Sequence, residues 1–321
     1  LTPHCAATLE HDALAFERVM AFLKEYDGET GTVIGVQVEN EMGIGYTDRD
    51  YSTLANRDYE KPLPEELRDV ELEDCGERDG SNTWVGQFGR HAHEAFNAWY
   101  HALYIGQVAR RGRAQYDFPV LYTNVMIGET GYEEPGKCYN SGAAVGRVLD
   151  IWKKGAPALD LIAPDIYNPE LSVYSRICSR YARPDNALFI PETSPTGEAF
   201  AMDLIRAAAD YGAIGLCGFG AESALTNNGE LSEDAYPVMV SMRTIQNLAP
   251  LLIRYRGTGR IHCFLQEEFA IKQYLKLPKY HVVANYLRGS SLRHGLGSRI
   301  NLRDPENEKH LNARGRGILI Q

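Results

Sequence analysis

Two glutamates stand at the ends of apolar, strand-like runs: Glu41 in TVIGVQVENEMG (Thr32 to Gly43) and Glu192 in ALFIPE (Ala187 to Glu192). A strand buried on both faces reads as a near-continuous Val/Ile run. A carboxylate at its end sits where solvation is poor, and such a group is either neutralised by a partner or used. One strand-end carboxylate is most simply an ion-pair partner for an Arg or a cap for the next helix. The second, ending a similar run far downstream, favours a working pair: one group to attack or activate, one to donate and accept a proton. Glu39 alternates with Asn40 along the first run and reads as a structural partner for an Arg.

The elements that must hold such a pair can be read from the pattern. Residues 9 to 26 have a helical repeat, with Leu9, Phe16, Val19, Met20 and Leu23 on one face. The strand at Thr32 follows, then a long polar segment to about Asn82 that reads as a loop, and loops of that length are usually functional or mobile. Trp84 to Arg113 reads as one long helix with Phe88, Ala92, Ala95, Phe96, Trp99, Leu103 and Val108 buried. Further strands are expected at Phe118 to Asn124, Leu159 to Tyr167, Ala187 to Glu192 and Ala213 to Gly220. Helices follow near Ala143 to Lys154, Leu171 to Tyr181, Ala199 to Tyr211 and Asp234 to Leu248. Strand then helix, five times over, predicts a parallel sheet with helices outside it.

Two architectures fit, a doubly wound sheet and a (β/α)8 barrel. The nucleotide-binding form of the first needs G-x-G-x-x-G straight after a strand. The glycine-rich pieces here, Gly128 to Gly136 and Gly215 to Gly220, have the wrong spacing or lie within a strand. Polar residues gather instead at the C-terminal tips of the strands: Asn40 and Glu41, Asn124, Asp165 and Tyr167, Glu192, Glu222. Both architectures bind ligands at that end, and a barrel carries its catalytic residues there. The barrel is the favoured reading. With five of eight strands present, it is a partial barrel, strands four to eight, occupying residues 1–250. The chain starts at Leu1 without Met and stops at Gln321 within a strand-like run, so both ends read as cut. From Leu251 the alternation stops. Short runs at Ile261 to Leu265, Phe269 to Ile271 and Tyr280 to Val283 predict the start of a β-rich domain over 251–321.

Composition narrows the partners. Net charge is −10 with no basic block, which argues against nucleic acid and an anionic membrane surface. No apolar run reaches the ~20 residues of a membrane span. The six cysteines are scattered without a C-x-x-C pair, which fits a reducing compartment such as the cytoplasm, and Cys217 reads as a small core residue. The nine histidines are dispersed, and neither a metal set nor a cofactor motif is expected.

VQVENEMG closely resembles the acid/base strand of family 35 β-galactosidases, and its Asn-Glu pair resembles that of the wider glycoside hydrolase clan A. Residues 1–250 are similar to a bacterial β-galactosidase-like group, of family 35 or family 42 type, in which strands like APDIY and PLFIPE recur. The resemblance implies a (β/α)8 barrel with the acid/base Glu after an Asn on strand four and the nucleophile Glu ending strand seven. On that basis Glu41 is the acid/base, Glu192 the nucleophile, and Asn40 a contact to the sugar's 2-hydroxyl. Asn124 and Tyr167 are further substrate-side candidates, against a turn-forming Asn and a Tyr packed at the rim. The implied activity is retaining hydrolysis of a β-linked oligosaccharide or glycoside. The alternatives are a non-catalytic sugar-binding barrel and a clan A glycosidase of other specificity, such as β-glucosidase, β-mannanase or arabinosidase. Trp84 and Phe219 could form a sugar platform, though both read more simply as core.

Overall fold

A computed structural model describes residues 2–128, 134–267, 270–286 and 314–321. The chain forms two compact units: Leu1–Asn168 with Ser179–Glu192, and Pro169–Cys178 with Thr193–Gln321.

The first unit opens with α1 (Ala6–Asp27). At its end Asp27 turns the chain: its carboxylate accepts hydrogen bonds from Thr30 Oγ1 (2.6 Å), Thr32 N–H (2.9 Å) and Val33 N–H (2.8 Å). Those bonds, that from Thr30 foremost, hold its pKa down at about 2. The turn delivers β1 (Gly35–Gln37). Then follow α2 (Thr53–Tyr59), α3 (Trp84–Phe88), α4 (Ala92–Gln115), β2 (Val120–Met126), α5 (Leu149–Gly155) and β3 (Leu161–Asp165); next in the chain come α6 (Leu171–Tyr181), most of which belongs to the second unit, and β4 (Phe189–Thr193).

β1, β2 and β3 make a three-stranded parallel sheet in that order, Gly35 opposite Val120 and Tyr122 opposite Leu161. Ile166 N–H donates to Glu192 O at 2.9 Å, which brings β4 alongside the end of β3. Buried Asn186 ties the approach to β4 into place, accepting from Ile162 N–H and donating to the Ile162 and Tyr181 carbonyls. β3 is buried throughout, whereas β1 is not: Ile34 before it is 73% exposed, and of its surroundings only Val38 is fully covered. The expected two-sided burial of the Thr32 run is therefore corrected. Regular pairing ends at Gln37, because the next residues turn out of the strand.

Two further expectations change. The single helix over 84–113 is broken at Gly89, whose φ of 50° and close approach to the Cys75 carbonyl leave no room for a Cβ; α3 and α4 are separate helices there. The segment 43–82 is not a bare loop. It carries α2 and a 3-10 turn at Glu65–Leu67, and Ala55, Leu63, Leu67, Val70, Leu72 and Cys75 are buried. Apolar anchors at wide spacing were hidden among its charged residues. α4 forms the core of the unit, with Ala95, Phe96, Ala102, Ile105 and Val108 buried, and Gly106 admits the Gly155 backbone of α5.

In the second unit α7 (Glu198–Ala209), β5 (Gly215–Gly218), α8 (Tyr236–Tyr255), β6 (Ile261–Leu265), β7 (Lys272–Lys276), β8 (His281–Asn285) and β9 (Arg316–Ile320) follow in order. One face of α7 packs Met202, Ile205 and Ala209 on Cys263 and Leu265 of β6; another packs Ala201 and Leu204 on Val238 of α8. β6 pairs antiparallel with β9, and β7 with β8. The strand-like run at 269–271 is displaced to β7, and Phe269 lies outside the described residues, as does part of the glycine-rich loop 128–136. Cys217 is exposed on β5 and is not a core residue. β5 meets the end of β4 through Phe219 N–H, which donates to Thr193 O at 2.9 Å. The molecule is thus an α/β protein whose parallel ladder is short, three strands, with β4 and β5 paired separately.

Candidate active site

The site forms where the ends of β1 to β4 converge, and every residue in it belongs to the first unit. Beyond β1, Val38 N–H still reaches the Tyr122 carbonyl at 2.7 Å. The backbone then leaves the sheet: Glu39 and Glu41 take φ values of 60° and 47°. A left-handed conformation costs a non-glycine residue about 1–3 kcal/mol and persists only where neighbours impose it. At Glu41 they do. Its N–H donates to Asn124 Oδ1 at 3.0 Å, and its carbonyl accepts from Asn140 Nδ2 at 3.2 Å. Ile44 and Ser141 then exchange backbone hydrogen bonds at 2.9 and 2.8 Å, which fixes the exit from the turn.

Asn124, on β2 and 2% exposed, is the hub. Its Nδ2 lies 2.8 Å from Asp165 Oδ2, 3.0 Å from Asn40 Oδ1 and 3.2 Å from Glu192 Oε1, sharing its two hydrogens among three acceptors. Asn40 Oδ1 also accepts from Gln37 Nε2 at 3.0 Å. The other oxygen of Glu192, Oε2, accepts from the Tyr167 hydroxyl at 2.8 Å. One carboxylate oxygen from each of Glu41, Asp165 and Glu192 lies within 4.8 Å of the other two.

Three carboxyl groups so close cannot all carry charge at low cost. Asp165 is 3% exposed; burial, then the charge of Glu192, then the hydrogen bond and charge of Glu41 push its pKa up to about 9, against the opposing pull of Asn124. Glu41 is half-buried and also raised, by burial first and by the charge of Glu192, with the Asp165 hydrogen bond working the other way. Burial and the bond to Glu192 push the Tyr167 phenol well above its ordinary value. Acidic clusters of this size can bracket a cation. Here the Asn124 amide already donates to both Asp165 and Glu192, and we assign no metal to the site.

All five residues singled out from the sequence, Asn40, Glu41, Asn124, Tyr167 and Glu192, meet in this cluster. Asn124 is a buried strand residue and not a turn former, and Tyr167, 39% exposed, directs its hydroxyl at Glu192. Asp165, a strand-tip residue outside those five, joins them in the structure. The signal was available: it lies two residues before Tyr167, on the same face by the period of a strand. Glu39 is exposed and has no ion pair among the described residues, so the expected Arg partner is absent there. Glu222 is exposed in a 3-10 turn of the second unit, Phe219 is 64% exposed on that unit, and Trp84 is buried in the core of the first.

No family model matches the sequence, and no curated protein matches it by sequence. Solved structures do. A β-galactosidase from the psychrophilic Marinomonas ef1 aligns with a TM-score of 0.50 at 14% identity, over 78% of this chain and 44% of that one. The catalytic domain of a β-amylase from Paenibacillus polymyxa aligns at 0.49 and 13%, over 77% and 70%. A β-galactosidase from the Antarctic haloarchaeon Halorubrum lacusprofundi aligns at 0.46 and 15%, over 77% and 42%. This chain spans less than half the length of either β-galactosidase. At such identity the likeness is one of fold.

Proposed function

We propose that the chain carries the catalytic centre of a retaining β-glycosidase, β-galactosidase-like in substrate. Glu192 is the nucleophile and Glu41 the acid/base. The observation that carries this reading is the pair of glutamates from separate strand ends, with oxygens within 4.8 Å and unlike surroundings. Retaining glycosidases hold their two carboxyl groups about 5–5.5 Å apart, whereas inverting ones leave about 6.5–9.5 Å for a water.

The roles follow from the contacts. Glu192 has one oxygen held by Asn124 and the other by Tyr167, so its carboxylate is aimed before substrate arrives. Glu41, raised by burial and by the charge of Glu192, holds a proton for the leaving oxygen. When Glu192 bonds to the anomeric carbon its charge is lost, and Glu41, now without its proton, takes one from water as that water displaces the ester. The amide oxygen of Asn40 is occupied by Gln37 and Asn124, which leaves its NH2 to donate to a sugar hydroxyl. In this reading β1 to β5 correspond to strands four to eight of a (β/α)8 barrel over residues 1–250, and 251–321 begin a β-rich domain. The substrate is a β-linked galactoside or oligosaccharide; the sugar itself rests on the resemblance of VQVENEMG.

A panel of nitrophenyl glycosides, read by NMR for the first-formed anomer, tests the proposal. A β-galactoside hydrolysed with a β-configured first product is expected. Azide separates the roles: with an activated substrate, Glu41→Gly with azide should give the β-glycosyl azide, and Glu192→Gly the α-anomer. An α-configured first product from the unmodified protein, or the reverse azide pattern, would overturn the assignment.

A further inference from the structure

The carboxyl group that this chemistry leaves unused is Asp165. It is 3% exposed at the end of β3, and its Oδ2 accepts from Asn124 Nδ2 at 2.8 Å. Its Oδ1 is buried and meets no N–H or hydroxyl donor. Beside it stands the Glu41 carboxyl, one oxygen of each group lying within 4.8 Å of the other. Two carboxylates offer only acceptors to each other, so a bond between them requires a proton. The charged and titratable groups around Asp165 do not supply an alternative. Glu41 faces it from the turn after β1, Glu192 from β4, and Tyr167 and the buried Tyr181 are the nearby phenols. Among the described residues no Lys, Arg or His forms an ion pair with it.

We propose that Asp165 is a neutral positioning residue for Glu41, whose carboxyl O–H donates to the Glu41 carboxylate and stabilises the charge that appears there when Glu41 gives its proton away. The inference rests on the glycosidase reading for its chemistry; the proton itself does not. In the first half-reaction the Glu41 proton moves to the glycosidic oxygen, the C1–O bond breaks, and a Glu192 oxygen bonds to C1. Asp165 keeps its proton throughout and strengthens its bond to Glu41 as that group becomes anionic. In the second half Glu41 takes a proton from water, the water oxygen bonds to C1, and the ester to Glu192 breaks. A donor fixed beforehand at the place where charge develops lowers the barrier without reorganising. The third carboxyl then adds no negative charge next to the attacking Glu192.

Infrared difference spectroscopy and kinetics test this separately. The spectrum of the unmodified protein minus that of Asp165→Asn at pH 7 should contain the C=O stretch of a protonated carboxyl, lost as the pH is raised past about 9. No such band at pH 7 would mean an ionised Asp165 and would overturn the proposal whatever the activity. If the band is present but no glycoside is cleaved, the functional reading fails and the protonated bond to Glu41 stands. In kinetics, Asp165→Ala should reduce kcat on poor leaving groups by on the order of tenfold to a hundredfold, with KM little changed. An activated leaving group, which needs no proton, should be affected less in its first step. Asp165→Asn, which retains an N–H donor of the same shape, should recover most of the loss. Equal loss in the Ala and Asn variants, or equal loss on both leaving groups, would reduce Asp165 to packing and overturn its positioning role.

Discussion

Glu41 and Glu192 end two strands, yet the protein holds them in opposite ways. Glu192 lies within β4, in regular extended backbone, and it is the side chain that is gripped, one oxygen by Asn124 and the other by Tyr167. Glu41 lies past the end of β1 in left-handed backbone, and it is the main chain that is gripped, its N–H by Asn124 and its carbonyl by Asn140. The contrast suits the proposed roles: a nucleophile gains from a fixed carboxylate, whereas an acid/base group must reach the leaving oxygen first and a water later, and is better anchored by its backbone. Asn124 touches both arrangements, and so couples them.

The largest effect expected from this contrast is chemical. Glu192→Gly should lower turnover by about 10⁴-fold or more on every substrate, while Glu41→Gly should spare those with activated leaving groups. Equal losses on such a substrate would show that the two groups are not divided as described. Asn124→Ala should come next, with kcat down about 100-fold and a stability loss of about 1–3 kcal/mol, since it leaves buried acceptors without donors. Urea unfolding alongside kinetics separates the two. Tyr167→Phe touches only the Glu192 side, at a half-exposed position, and a kcat loss of about tenfold is expected with stability nearly unchanged. A loss as large as that of Asn124→Ala would deny the hub its special place.

The backbone contrast has its own readout, smaller and opposite in sign at the two positions. Glycine relieves a positive φ but loosens a strand, so Glu41→Gly should unfold at higher urea than Glu192→Gly, by about 1–2 kcal/mol. The reverse order would mean that the turn at Glu41 is not strained. A pH series probes the carboxyl between them. An aspartate ionises near its ordinary 3.8 when unfolded, but Asp165 does so near 9 in the fold. The folded state holds the extra proton across that window, so this stabilising contribution is complete below about pH 4 and is lost as pH rises toward 9. Relative to Asp165→Asn, the unmodified protein should therefore lose stability steadily from pH 4 to 9. Parallel unfolding curves at all pH values would place the proton elsewhere.

The alternation of strands and helices was legible because it depends on local pattern: apolar runs of strand length, helical repeats and turn residues between them. The paired glutamates were legible for the same reason, each closing such a run. Boundaries set by distant contacts were not. Nothing in GQFGRH announces that the Cys75 carbonyl packs against Gly89 and breaks the helix, and the buried anchors of 43–82 are spaced too widely to form a pattern. The Val/Ile character of the Thr32 run says what it can bury, not whether anything covers it, and Ile34 is open. The residue types at the strand ends can be read along the chain, since side-chain chemistry and two-residue periodicity need no tertiary contact. It takes the folded arrangement for the Asn124 amide to reach Asn40, Asp165 and Glu192 together, and for Asp165 to be buried beside Glu41. Distances across strands, and the low dielectric that keeps a proton on a buried carboxyl, exist only once the strands have come together.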